Sequence, residues 1–168
     1  MKSIRNIAFA ALMTIGAFSA VTYTSCNKDE CKDVTCSNGG TCVSGVCQCP
    51  AGWEGTNCET RSNAKYVGVW AVTESCGGTN SDPYQVTITA DPANPAKVLV
   101  SNLGNYDCTV GGTIVFDAVV NTTTITINDE ACGTQMNATG TYNNGSISFS
   151  YTAKYGVTTD NCTATLTK

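Results

Sequence analysis

The cysteine content of this chain constrains its fold more than any other feature. Eleven of the 168 residues are cysteines. Six fall within residues 31–58 with gaps of 4, 5, 4, 1 and 8 residues, four lie further on, and Cys26 is left over. The six are Cys31, Cys36, Cys42, Cys47, Cys49 and Cys58, and the later four are Cys76, Cys108, Cys132 and Cys162. This density predicts an oxidising compartment and a disulfide framework, while an odd cysteine needs its own explanation.

The remaining composition argues against several functions. The chain has no histidine, which removes the commonest general base and the commonest metal ligand. Its net charge of -4 becomes -4 - 2 = -6 without Lys2 and Arg5, which lie in a segment predicted to be removed. Since nucleic-acid binding needs clustered Lys and Arg, we expect that this chain does not bind nucleic acid. The adjacent pair Asp129-Glu130 is expected in a solvated loop, so we predict a protein without catalytic residues or a cofactor.

The N-terminus has the pattern of a signal peptide. Residues 1–6 carry two positive charges, and residues 7–23 are apolar with small residues interspersed. The sequence Thr24-Ser25-Cys26 resembles the end of a bacterial lipobox, in which the cysteine is lipidated and becomes the mature N-terminus. Tyr23 stands where that motif usually has Leu, a loose form similar to that of Bacteroidetes lipoproteins.

The residues after Cys26 extend this resemblance. Residues 27–30 (NKDE) are similar to the Lys-plus-acidic signals that send such lipoproteins to the outer face of the outer membrane. The resemblance implies a signal peptide at 1–25, a lipidated tether and export signal at 26–30, and a lipid-anchored protein exposed at the cell surface. Two rival hypotheses are an uncleaved membrane helix and a secreted product cleaved near Ser19 or Ala20.

Residues 31–58 resemble an EGF-like domain. The resemblance rests on the six-cysteine spacing and on the ending from Cys47 to Cys58 (CQCPAGWEGTNC). It implies the disulfides Cys31–Cys42, Cys36–Cys47 and Cys49–Cys58, whereas spacing alone allows 15 pairings. So small a module cannot bury enough apolar surface to fold unaided, so its bridges serve as the core. The resemblance also implies a role as spacer or interaction surface.

Metal binding is expected to be absent. Asn27, Asp29 and Glu30 match the first half of the calcium-binding EGF pattern and are weak calcium candidates. The second half of that pattern is missing, because Val-Ser-Gly-Val stands between Cys42 and Cys47. The sequence contains no C-x₂-C pair, the spacing that would suggest a zinc site.

The remainder reads as a polar linker at 59–65 followed by a β-domain at 66–168. Apolar residues alternate with Thr and Ser, and turn residues separate the runs. Asn144-Gly145 suits a type I′ hairpin turn. Candidate strands are Tyr66–Ser75, Tyr84–Ala90, Lys97–Asn102, Asp107–Val110, Thr113–Val119, Thr123–Asn128, Thr134–Tyr142, Ser146–Ala153 and Asn161–Thr167. We predict a mainly β fold, an antiparallel meander closed as an up-and-down barrel, with a β-sandwich as the alternative.

The sequence Gly68-Val-Trp70 in the first strand resembles the start of lipocalin and calycin barrels, and of small lipocalin-like domains in Bacteroidetes lipoproteins. That family covers the Trp with an Arg near the last strand; none follows Arg61 here, and Lys154 is a poor substitute. In a closed barrel the first and last strands are neighbours. Cys76 ends the first and Cys162 begins the last, which predicts Cys76–Cys162 and leaves Cys108–Cys132.

These features predict a surface-anchored, non-enzymatic binding or display protein. Its partners would be the membrane, through the lipid, and an unidentified protein or glycan. The alternative is a lipocalin-like carrier of a small apolar ligand, because an eight-stranded barrel can be filled by side chains or hold one small ligand.

Overall fold

The fold is seen in a computed structural model, which describes residues 30–108 and 111–168. These ranges contain strands and a single 3₁₀ turn at Leu103–Asn105. The strands are β1 (Thr41–Val43), β2 (Val46–Gln48), β3 (Trp53–Glu54), β4 (Thr60–Arg61), β5 (Gly68–Cys76), β6 (Thr79–Asn80), β7 (Tyr84–Ala90), β8 (Lys97–Ser101), β9 (Val115–Val120), β10 (Thr124–Ala131), β11 (Thr134–Asn143), β12 (Ser146–Tyr155) and β13 (Thr158–Thr167). A helix long and apolar enough to span a bilayer does not occur in the described ranges.

The first module is a disulfide-bonded pair of small hairpins. Strands β1 and β2 pair antiparallel, and β3 pairs with β4. The bridges join Cys31 to Cys42, Cys36 to Cys47 and Cys49 to Cys58, the pairs that the EGF-like resemblance implies. Three covalent links within 28 residues stand in for the apolar core that so short a segment cannot build.

The second module is a closed eight-stranded antiparallel barrel. Its order is β5-β7-β8-β9-β10-β11-β12-β13, and β13 pairs back onto β5 over six residues from Cys162–Cys76 to Thr167–Ala71. The short β6 only extends the end of β5. This closure confirms the predicted barrel and excludes the sandwich alternative. The predicted turn at Asn144-Gly145 is also present, with φ of 44° and 85°.

The barrel core follows from the period-2 pattern of its strands. Inward positions are buried and mostly apolar, because alternate side chains of a strand point to one face. They are Trp70, Val72, Val86, Ile88, Val98, Val100, Phe116, Ala118, Val120, Ile125, Ile127, Met136, Ala138, Ile147, Phe149, Tyr151, Ala153, Ala164 and Leu166. The outward positions of β10 to β13 are mainly Thr, Ser and Asn.

Two local predictions were wrong. The segment predicted as a strand at 107–110 forms an isolated bridge between Asp107 and Thr113, and residues 109–110 lie outside the described ranges. Asp129 and Glu130 belong to β10 and not to a loop. The carboxylate of Asp129 accepts a hydrogen bond from the backbone N–H of Asp117 on the neighbouring β9 (2.8 Å), which supports the strand at this point.

Candidate functional site

The barrel has two ends of different character, which we call the near rim and the far rim. The near rim carries the connections at 91–96, 121–123 and 144–145. The far rim carries the connections at 77–78, 102–114, 132–133 and 156–157, of which 109–110 are not described. Because strands alternate in direction, every second connection falls at the same end.

The EGF-like module is docked on the near rim. A side chain at Gly52 would come within 2.7 Å of the Ala96 nitrogen, so the two backbones meet where only glycine fits. The Ser62 N–H donates to the Gly52 carbonyl (2.8 Å), and the Asn63 amide donates to the carbonyl of Lys97 (3.0 Å). The backbone N–H of Asn63 also donates to Pro95 (3.1 Å).

Residues 59–65, predicted as a polar linker, connect the two modules and also contact both of them, and we call them the clamp. Ser62 and Asn63 are 2% and 1% exposed. Lys65 forms an ion pair with Glu54 (2.7 Å), and the Arg61 guanidinium lies over the Trp53 ring, 5.7 Å from its centroid. Two of its polar side chains, those of Arg61 and Asn63, donate hydrogen bonds to carbonyl groups of the rim.

The near rim is closed by an aromatic and cationic cluster. Trp70 donates its indole N–H to the Tyr66 carbonyl (2.8 Å), and the Tyr66 hydroxyl donates to a backbone carbonyl of the 121–123 connection (3.1 Å). Burial raises the pKa of Tyr66 to about 12. The cation over Trp70 is Lys168, whose Nζ lies 4.3 Å from the ring centroid and donates to the Val67 carbonyl (2.8 Å). Lys154, the substitute considered from sequence, lies instead on the exposed outer side of β12.

Side chains occupy the interior of the barrel. Trp70, Phe116, Ile125, Met136 and Leu166 are fully buried there. Three clefts of 330, 350 and 300 Å³ lie on the outer face of β5 and β10 to β13, where Thr, Ser and Asn side chains project. The packing of the described residues thus offers no support for a ligand-carrying interior.

A buried hydrogen-bonded cluster lies just inside the far rim. Glu74, only 7% exposed, accepts hydrogen bonds on one carboxylate oxygen from the hydroxyls of Tyr84 (2.8 Å) and Tyr151. Tyr84 in turn accepts from the backbone N–H of Gly104 (3.0 Å). Burial, followed by the bond to the Glu74 carboxylate, raises the pKa of both tyrosines well above the usual value.

The same cluster holds the 3₁₀ turn in place. The ring of Tyr106 packs on Gly104, and its hydroxyl donates to Asp160 on β13 (2.9 Å). Burial and this bond raise the pKa of Tyr106 as well. Leu103 is fully buried beneath the turn. Residues 102–106 therefore close the far rim. We interpret the cluster as structural, because its tyrosine hydroxyls donate hydrogen bonds to carboxylates.

Sequence reasoning missed this cluster. The signal available was the position of Glu74 on β5, two and four residues after the inward Val72 and Trp70. A carboxylate at an inward position of an alternating strand requires buried hydrogen-bond donors.

The outer edge of the far rim is cross-linked and carries exposed apolar side chains. Cys76 is bonded to Cys162 across the β5–β13 seam, and Cys108 to Cys132, the pairing expected from closure. At the hairpin between β12 and β13, Tyr155 is 46% exposed and Val157 is fully exposed. A partly exposed aromatic on a braced hairpin is suited to contact a partner.

Several residues selected from sequence lie outside the described ranges. These are Cys26, proposed to be lipidated, and the calcium candidates Asn27 and Asp29. The third candidate, Glu30, is described and exposed. Among residues 30–108 and 111–168, no three His, Cys, Asp or Glu side chains converge on a metal position.

Comparison with known proteins agrees with this division of the chain. The family model described as EGF-like domain matches residues 26–58. Residues 31–58 form an EGF-like domain, followed by an eight-stranded antiparallel barrel. Fibropellin-1 from Strongylocentrotus purpuratus is 45% identical over 53 residues, which are 28% of this chain and 5% of fibropellin-1. This chain therefore spans a small fraction of that relative's length.

Solved structures similar to the chain are barrels of low sequence identity. EF1p2_mFAP2b bound to DFHBI is 18% identical, with a TM-score of 0.43, and the match covers 64% of this chain and 96% of that chain. A redesigned β-barrel, b11L5F_LGL, is 17% identical with a TM-score of 0.43, covering 66% and 96%. The assignment of a barrel to this chain rests on its own strand pairing.

Proposed function

We propose that this chain is a bacterial lipoprotein of the Bacteroidetes type, anchored through Cys26 to the outer membrane and exposed at the cell surface. It acts without catalysis, as a display protein that presents the far rim to a protein or glycan partner. The EGF-like domain is the spacer between the lipid and the barrel.

The docking of the EGF-like domain on the near rim carries this proposal. Four residues separate Cys26 from Cys31, a reach of roughly 17 Å at full extension, so the domain stays close to the bilayer. Because Gly52 and Asn63 hold the domain on the near rim, the far rim is the barrel end directed away from the anchor. Several acyl chains together give a stable anchor where one would not.

A non-enzymatic role is supported by the hydrogen bonds of the two carboxylates at the far rim. Glu74 and Asp160 accept hydrogen bonds from tyrosines within the packed rim. The chain offers no histidine as a base, and its ten cysteines after Cys26 are all in disulfides. These observations favour display over chemistry.

The anchor is tested by expressing the full chain and a Cys26→Ala variant in a Bacteroidetes host. We expect the parent in the outer-membrane fraction, with an acylated Cys26 by mass spectrometry, and the variant without the acyl mass. Ser25→Ala is the matched control, since it keeps a small residue before the cysteine. An unmodified Cys26 in the parent would contradict the anchor.

Display is tested on the same cells. Protease or antibody added to intact cells should reach the parent chain, whereas a periplasmic marker stays protected. On arrays of extracellular proteins and glycans, the double variant Tyr155→Ser and Val157→Ser should bind its target at least about tenfold more weakly. Val69→Ser with Val119→Ser, on the outer wall, is the control and should bind like the parent. Equal loss in both double variants would contradict presentation by the far rim.

A further inference from the structure

Three valines of the EGF-like domain lie together on one side of it. Val43 and Val46 are directly opposite each other on β1 and β2, so their side chains project from the same face. They are 45% and 66% exposed. Val34 and Val46 line the same cleft. We call Val34, Val43 and Val46 the valine patch.

The patch lies beside the point where the chain leads to Cys26. Cys42 precedes Val43 and is bonded to Cys31, with Cα atoms 5.8 Å apart. One further residue step adds about 3.8 Å, so the Val43 Cα lies within roughly 10 Å of the Cys31 Cα. At the hairpin turn, a Cβ on Gly45 would lie 3.5 Å from the Cβ of Glu30. The exposed tip of the hairpin thus touches the segment that precedes the first bridge.

The barrel approaches the EGF-like domain elsewhere. It meets the domain at Gly52, which lies against Pro95 and Ala96. The clamp that leads into the barrel contacts Trp53 and Glu54, near the last bridge. Val43 and Val46 keep their exposure with the barrel in place. With Cys26 as the anchor, the four intervening residues hold Cys31 within about 17 Å of the bilayer.

We propose that the valine patch rests in the interfacial region of the membrane that holds the lipid anchor. This inference depends on the anchor proposed above and adds a second contact to it. Aliphatic side chains gain by leaving water for the boundary between headgroups and acyl chains, to a depth of about 5–10 Å. An acyl group alone leaves a protein free to rotate relative to the bilayer. An anchor together with a lateral apolar contact fixes the angle between the barrel and the membrane.

The experiment uses the full-length, processed lipoprotein in phosphatidylethanolamine and phosphatidylglycerol vesicles whose acyl chains carry bromine near the carbonyl end. Bromine quenches tryptophan on contact, so Val46→Trp reports the depth of the patch, with Trp53 and Trp70 common to every sample. We expect the added fluorescence of Val46→Trp to fall by about half relative to unbrominated vesicles. Val157→Trp on the far rim is the matched control and should not change.

Val43→Trp is a second reporter on the opposite strand, which keeps the test valid if Val46→Trp fails to form its disulfides. The mass of Cys26 is read in the same samples. If Cys26 is acylated and neither reporter is quenched, the membrane contact is refuted and the anchor stands. If Cys26 is unmodified and the protein does not sediment with vesicles, the anchor itself is refuted and the contact with it.

Discussion

Removal of the disulfide across the barrel seam gives a quantitative test of the closure. The Cys76–Cys162 bridge spans 86 residues and the Cys108–Cys132 bridge spans 24. In the chain-entropy model, loops of 86 and 24 residues correspond to about 4.6 and about 3.4 kcal/mol. Because the smaller loop is nested within the larger, the effective length is 86 - 24 = 62 residues and the seam bridge contributes about 4.3 kcal/mol.

The perturbation is the double variant Cys76→Ser and Cys162→Ser, with Cys108→Ser and Cys132→Ser as the matched control. We expect both to keep the barrel, since β5 and β13 remain hydrogen-bonded. The seam variant should lose about 1 kcal/mol more free energy of unfolding than the control. Denaturant titration followed by tryptophan fluorescence, under oxidising conditions, measures both. A larger loss in the control would refute the assignment of stability to loop length.

Three further perturbations test the rims. Lys168→Met removes the cation from the Trp70 ring and should cost about 1 kcal/mol of unfolding free energy. Lys154→Met, on the exposed outer wall, should change the unfolding free energy by less than about 0.5 kcal/mol. Equal effects of the two variants in urea titrations would contradict the placement of Lys168 over Trp70. Glu74→Leu removes the acceptor of the Tyr84 and Tyr151 hydroxyls and should cost about 2 kcal/mol of unfolding free energy, while Glu74→Gln, which keeps an acceptor, should cost less; the reverse order in thermal unfolding would argue against the cluster. Since the folded pKa of Tyr66 is raised from 10.0 to about 12, the folded state binds the proton more tightly, so stability should be level up to about pH 9 and fall between pH 10 and 12. The Tyr66→Phe variant should lack this residue's share of the fall, at most about 1.4 kcal/mol per pH unit, in urea titrations over that range; the same pH dependence in both proteins would contradict this.

The bridges and the barrel were accessible from sequence for physical reasons. The bridges of the first module were predicted from the resemblance to an EGF-like domain, since spacing alone allows 15 pairings. Alternation of apolar residues with Thr or Ser has the period of a half-buried strand. The predicted closure made the first and last strands neighbours, which predicted the Cys76–Cys162 bridge, and the register places Cys162 opposite Cys76. None of these inferences needed contacts between distant side chains.

What sequence did not provide depends on tertiary placement. Asn63 was predicted to be a linker residue because the carbonyls that accept from its side chain, those of Asn94 and Lys97, lie 31 and 34 residues away in sequence. Lys168 was overlooked as the cation over Trp70 for the same reason, since local pattern cannot show which lysine the barrel brings to the ring. Glu74 was missed because a charged residue breaks the apolar alternation used to identify inward positions.

The sulfur bridge at the seam also has a mechanical consequence. A load taken up at the far rim enters β13 close to Cys162, crosses the bridge to Cys76 and runs down β5 to the clamp and the three bridges of the EGF-like domain. The route from the far rim to the EGF-like domain therefore consists of covalent bonds throughout. The hydrogen-bonded ladder between the first and last strands, where an open barrel would unzip under tension, is bypassed, so a pull on the far rim is carried to the EGF-like domain without first separating these two strands.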